Sequence, residues 1–118
     1  MNIITKTKNV ELTDSLKSLV DKKIGALAKF VKVLQKDAVE VFVELEKETK
    51  HHRKGDIFLA EATLHLPGKS LVARSHGQDL GKAILKIKHE LEREIRKYKT
   101  KTVELPRRKY RKVKQQIV

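Results

Sequence analysis

The chain has no cysteine and no tryptophan, only two prolines and five glycines, and aromatic residues make up 4% of its 118 positions. Without cysteine there are neither disulfides nor thiolate metal sites, and a reducing compartment suits such a chain. No apolar run approaches the roughly 20 residues of a membrane span. The first residues, Met1-Asn2-Ile3-Ile4-Thr5-Lys6, contain no apolar stretch of the kind a signal peptide carries. These readings together predict a cytoplasmic protein. The scarcity of aromatics also argues against an amphipathic membrane-surface helix, which usually carries aromatic anchors, so no membrane partner is expected.

What the sequence has in excess is positive charge. Twenty-eight Lys and Arg stand against fifteen Asp and Glu, for a formal net charge of +13. A protein this basic usually meets a polyanion, and nucleic acid is the commonest one. The excess is uneven. Residues 101–118 carry seven basic residues and one acid, Glu104. With Pro106, few apolar residues and no period, residues 102–118 are predicted to be a flexible basic tail following a single domain over residues 1–101. Within that tail Arg107, Arg108, Lys109, Arg111 and Lys112 are secondary candidates for RNA contact.

Hydrophobic periodicity predicts β-α-β-β-β-α. Residues 2–8 are β-rich. Thr13 is a candidate N-cap with Asp14 behind it, and Leu16, Leu19, Val20, Ile24, Leu27, Val31 and Leu34 follow at helical spacing, so one helix is expected from about residue 14 into the early thirties. Residues 38–48 and 56–66 alternate as strands, His51 to Gly55 form a polar loop, and Pro67-Gly68-Lys69 signals a turn into a short strand over Leu71–Arg74. A long helix is predicted from Gln78 to about Tyr98. Each helix has one apolar stripe, so both should cover the same face of a four-stranded sheet in an α+β fold. The other sheet face is left to solvent.

The last helix carries the functional signal. Leu80, Ile84, Ile87, Leu91, Ile95 and Tyr98 fall within one arc at about 100° per residue. Opposite them stand Lys82, Lys86, His89, Arg93, Arg96 and Lys97, while Asp79, Glu90, Glu92 and Glu94 fall to the flanks. An ordinary solvated helix would carry alternating ion pairs along that face. Basic groups recurring about every 5.4 Å suit successive phosphates instead. With so few aromatics, recognition of folded RNA by shape is favoured over stacking on single-stranded bases. Lys17, Lys22, Lys23 and Lys29 on the first helix extend the patch, Lys23 from a position near the apolar arc where its stem can snorkel.

Chemistry is poorly represented. Adjacent His51 and His52 point apart on an extended segment and lack a third ligand nearby in sequence. There is no glycine-rich phosphate loop and no nucleophile elbow. Glu44 and Glu46 share an exposed strand face, where carboxylates are usually just solvated. The chain is therefore read as a non-enzyme with no metal, no cofactor and no small-molecule substrate.

Three groups of residues resemble a known family. They are Val10-Glu11-Leu12-Thr13 after the first strand; His51-His52-Arg53-Lys54-Gly55 with Phe58, Ala60-Glu61-Ala62, Leu66-Pro67-Gly68 and Leu71-Val72-Ala73; and Asp79-Leu80, Ala83-Ile84 and Leu91 through Lys101. In this order and spacing they are similar to the ribosome hibernation-promoting factors, including ribosome-associated inhibitor A, of the short type that lacks a C-terminal dimerisation domain. The resemblance implies a fold similar to double-stranded RNA-binding domains. It also implies binding to ribosomal RNA in the decoding channel of the small ribosomal subunit, and inhibition of translation by occupancy. A protein monomeric off the ribosome is expected. The alternatives are a general structured-RNA-binding module and a constitutive ribosome-associated protein. Lys23, Lys29, Arg93 and Lys97 match basic positions of the family; Lys82, Lys86 and Arg96 rest on the stripe alone. Two departures stand out. Gly81 replaces a frequent aromatic and is expected to delay or bend the last helix, and Glu90 stands where the family often has lysine.

Overall fold

The structure, a computed structural model, describes residues 1–34, 39–48 and 57–101. Strand β1 (Asn2–Lys8) leads through helices α1 (Asp14–Gly25) and α2 (Ala28–Leu34) to strands β2 (Glu40–Glu48), β3 (Ile57–Leu66) and β4 (Lys69–Gly77), and helix α3 (Leu80–Lys99) closes the domain. The sheet order is β1-β2-β3-β4. β2, β3 and β4 form an antiparallel meander, and β1 pairs parallel with β2, a pairing that the helical crossover between them makes possible. This is the α+β architecture predicted. The polar loop at 51–55, with its two histidines, and the tail 102–118 lie outside the described residues.

Alternation in the strands builds the core. Val41, Val43 and Leu45 of β2, Ala60, Ala62, Leu64 and Leu66 of β3, and Leu71 and Ala73 of β4 all turn to one face and are buried. Against them lie Val20 and Ile24 of α1, Leu27 of the turn that follows, Val31 of α2, and Ala83, Ile84, Ile87, Leu91 and Ile95 of α3. The small Ala60, Ala62 and Ala73 let α3 settle over β3 and β4. No polar or charged residue is buried among the described residues.

Three expectations are corrected. The single first helix is two. The Leu27 amide donates to the Ile24 carbonyl at 3.0 Å, and Phe30 and Val31 amides donate to the Leu27 carbonyl, so the chain tightens between the two helices. Gly25 is a weak helix former next to Ile3 of β1. The turn after it lets Leu27 and Val31 both reach the core. Three helices, not two, therefore cover the sheet. Second, the fourth strand runs nine residues, because β3 offers a partner from Leu66 opposite Lys69 to Phe58 opposite Gly77. Cross-strand pairing there overrides weak intrinsic preference. Third, Gly81 does not delay α3. The helix starts at Leu80 under an Asp79 cap whose carboxylate accepts from the Lys82 amide at 3.1 Å. A Cβ at Gly81 would lie 3.2 Å from that carboxylate oxygen, so the glycine sits where a side chain would crowd the cap. The predicted Thr13 cap is present, its hydroxyl accepting from the Leu16 amide at 3.1 Å.

Candidate nucleic-acid interface

Because the apolar arc of α3 is pinned to the sheet, the opposite arc has to face outward. Lys82, Lys86, His89, Arg93, Arg96 and Lys97 are all exposed. The stripe divides along its length. Among the described residues, neither Lys82 nor Lys86 has a carboxylate within ion-pairing distance, and His89 has no hydrogen-bond partner. The second half is paired. Arg93 donates to both Glu90 oxygens at 2.6 and 2.7 Å, Arg96 lies 3.4 Å from Glu92, and Lys97 lies 3.7 Å from Glu94.

This corrects the expected contrast with an ordinary solvated helix. Acids on the flanks are still within reach of long basic arms three or four residues away, so intrahelical pairing does occur. The three cations remain 60–67% exposed in their side chains. Such surface pairs contribute little to stability. Arg93 is held more firmly charged than a free arginine, first by its hydrogen bond to Glu90 and then by that carboxylate's charge.

The tertiary fold adds neighbours that periodicity could not supply. Arg74 and Ser75 of β4 join Lys86, His89, Glu90 and Arg93 around an open hollow of about 430 Å³. Arg74 also pairs with Glu61 at 2.7 Å. Sequence reading placed Arg74 only at the end of a short strand. The signal for it was its outward register beside Leu71 and Ala73, combined with a β4 position at the sheet edge. From the first two helices, Lys29 is brought to α3: its ammonium lies 5.1 Å from the Phe30 ring centre, and the Arg96 guanidinium lies 5.5 Å from the same ring. Lys23 is half-buried on α1, as its place near the apolar arc implied, and Lys17 and Lys22 are exposed. Arg107, Arg108, Lys109, Arg111 and Lys112 lie outside the described residues.

Among the described residues no group of three or more His, Asp or Glu is placed to hold a metal ion, and no helix is long and apolar enough to cross a membrane.

A fold of this kind has counterparts among known proteins. The family described as "Sigma 54 modulation protein / S30EA ribosomal protein" matches residues 3–103. The chain belongs to this family. Among its relatives, the ribosome hibernation promotion factor of Lactococcus lactis is 35% identical over 100 residues, covering 85% of this chain and 50% of that protein. The ribosome hibernation promoting factor of Escherichia coli K12 is 31% identical over 93 residues, covering 79% of this chain and 87% of that protein. The chain thus spans about half the length of the Lactococcus relative and most of the Escherichia coli one. The crystal structure of the Thermus thermophilus Protein Y N-terminal domain superposes with a TM-score of 0.68 at 26% identity, over 83% of this chain and 99% of that domain. The family match runs from the second residue of β1 to two residues past Lys101, so the S30EA-type domain takes in all the described elements but for Asn2.

Proposed function

We propose that this protein is a ribosome hibernation factor: it binds the small ribosomal subunit through ribosomal RNA, occupies the decoding channel where mRNA and tRNA pass, and inhibits translation without chemistry. The observation that carries the reading is the exposed basic face of α3, widened by Arg74 and Lys29, on a domain of the family whose relatives carry the hibernation name. The sheet-and-helix order, similar to double-stranded RNA-binding domains, supports recognition of folded RNA by shape. Phosphate neutralisation along the face supplies affinity that falls steeply with salt. Lys23, Lys29, Lys82, Lys86, Arg93, Arg96 and Lys97 are the proposed contacts, with the basic residues of 102–118 as weaker ones. The proposed setting is the cytoplasm, where ribosomes are, and the proposed state off the ribosome is a monomer.

The test is co-sedimentation with purified small subunits, with and without excess mRNA and initiator tRNA. Binding that these ligands displace is the expected result. Binding that they leave untouched points to a constitutive partner at another site, and equal affinity for any RNA duplex points to a general RNA-binding module. The double variant Arg93→Glu/Lys97→Glu should abolish subunit binding while thermal unfolding stays close to wild type. Unchanged sedimentation of that variant removes α3 from the interface.

A further inference from the structure

Part of the basic face does not suit recognition by shape alone. Between α2 and α3 runs a groove of about 360 Å³ lined by Phe30, Val33, Ile95, Arg96, Lys99 and Thr100. Its volume lies within the roughly 300–1,000 Å³ common for small-ligand pockets. Val33 is 56% exposed, more than any other large hydrophobic residue described. Phe30 is half-buried at the groove, with the Lys29 ammonium and the Arg96 guanidinium both against its ring. Beside the groove lies a second hollow of about 410 Å³ lined by Arg93, Arg96, Lys97, Thr100 and Lys101. Arg96 and Thr100 line both, so the slot shares one wall with a hollow formed largely by the aliphatic stems of four basic side chains, which carry positive charge at their ends.

We infer that this pair of hollows receives an unpaired nucleotide of the bound RNA, the base in the slot against Phe30, Val33 and the Arg96 plane, and its phosphates in the neighbouring hollow. The inference rests on the RNA-binding reading above and deepens it. Base faces in a duplex are stacked on one another, so only a splayed nucleotide can present one to a protein slot. Aromatic rings and arginine planes are the surfaces on which such bases stack, and every base has a π-face, so the slot need not select a sequence. The charge supports this occupant over an apolar protein side chain. The cations lining the two hollows, Arg93, Arg96, Lys97, Lys99 and Lys101, with Lys29 beside them, outnumber the acids Glu90, Glu92 and Glu94 that three of them pair with, so the site keeps an excess of positive charge that a nucleotide's phosphate matches and an apolar side chain does not.

The experiment compares two probes of equal length by fluorescence anisotropy: a short single-stranded adenylate RNA and an abasic oligonucleotide with the same backbone charge. The wild-type full chain should bind the adenylate probe at least about fivefold more tightly. Phe30→Leu keeps an apolar side chain in place but removes the stacking ring. It should erase most of that preference and leave abasic affinity unchanged. Val33→Ser, at a position too exposed to matter to the core, should narrow the preference as well. Equal affinity for the two probes in the wild type overturns the inference, as does a preference that survives both substitutions. Failure to bind either probe, with small-subunit binding intact, also overturns it and leaves the RNA-binding reading standing. Failure to co-sediment with small subunits overturns the reading beneath it.

Discussion

At the scale of single residues, the most informative position is Glu90. The family resemblance marks it as a departure, a carboxylate where lysine is frequent, and in the fold both of its oxygens hold Arg93. A phosphate reaching Arg93 has to displace that carboxylate and sits near its charge. Glu90→Gln should therefore raise affinity for small subunits by about threefold and steepen the salt dependence by up to about one unit of slope, because one more cation becomes available for phosphate. A salt titration of the dissociation constant checks this. Affinity that falls in the variant would mean Glu90 positions Arg93 for RNA instead of competing for it. The identity of each stripe residue was legible in the sequence, since periodicity fixes which side of an amphipathic helix it occupies. Its pairing was not. Angular separation on a helical wheel ignores the length of arginine and lysine arms, and Arg93, Arg96 and Lys97 all reach acids that the wheel places on the flanks.

At the scale of elements, legibility followed how local the causes were. Thr13 caps its helix through its own sequence neighbours, and strand alternation is a period of two, so both could be read without a fold; Asp79, read as a flank residue of a helix from Gln78, is instead the cap of one that starts at Leu80. The length of β4 and the break after Gly25 depend on partners far along the chain, β3 for one and β1 with the core for the other. The β3–β4 hairpin gives a direct test of what its turn requires. Gly68 has φ +76°, in the region that disfavours side chains, whereas Gly77 at the far end of β4 lies outside that region with open space around a would-be Cβ. Gly68→Ala should destabilise the domain by about 1–2 kcal/mol, while Gly77→Ala should be neutral or slightly stabilising. Denaturant midpoints compare the two. Equal losses would mean the turn conformation is not what sets the hairpin register.

At the scale of the whole molecule, charge is distributed by face. The open side of the sheet carries the cross-strand row Lys6, Glu44, Glu61 and Arg74, acids at the centre and cations at the edges, with Glu40, Glu46 and Glu48 on the same side; Arg74, on the edge strand, also borders the hollow beside α3. The helical side carries the basic stripe. Net charge alone therefore does not tell which face the proposed RNA would meet, and deleting residues 102–118, which removes six basic residues and one acid, should lower the salt slope without abolishing binding. A salt slope unchanged by that deletion would make the tail a bystander. Orientation is tested by two substitutions that change net charge equally. Lys86→Glu acts in the middle of the stripe and Lys6→Glu on the open sheet. A helix about 10–12 Å across separates the two faces, and at physiological ionic strength charges are screened over roughly 8 Å. If the helical face meets the RNA, Lys86→Glu should weaken small-subunit binding by about tenfold or more and Lys6→Glu by less than about threefold. Equal losses would mean that overall charge, not a defined face, drives association. A larger loss for Lys6→Glu would turn the molecule around, setting the mixed-charge sheet against the ribosome and leaving the α3 stripe to solvent.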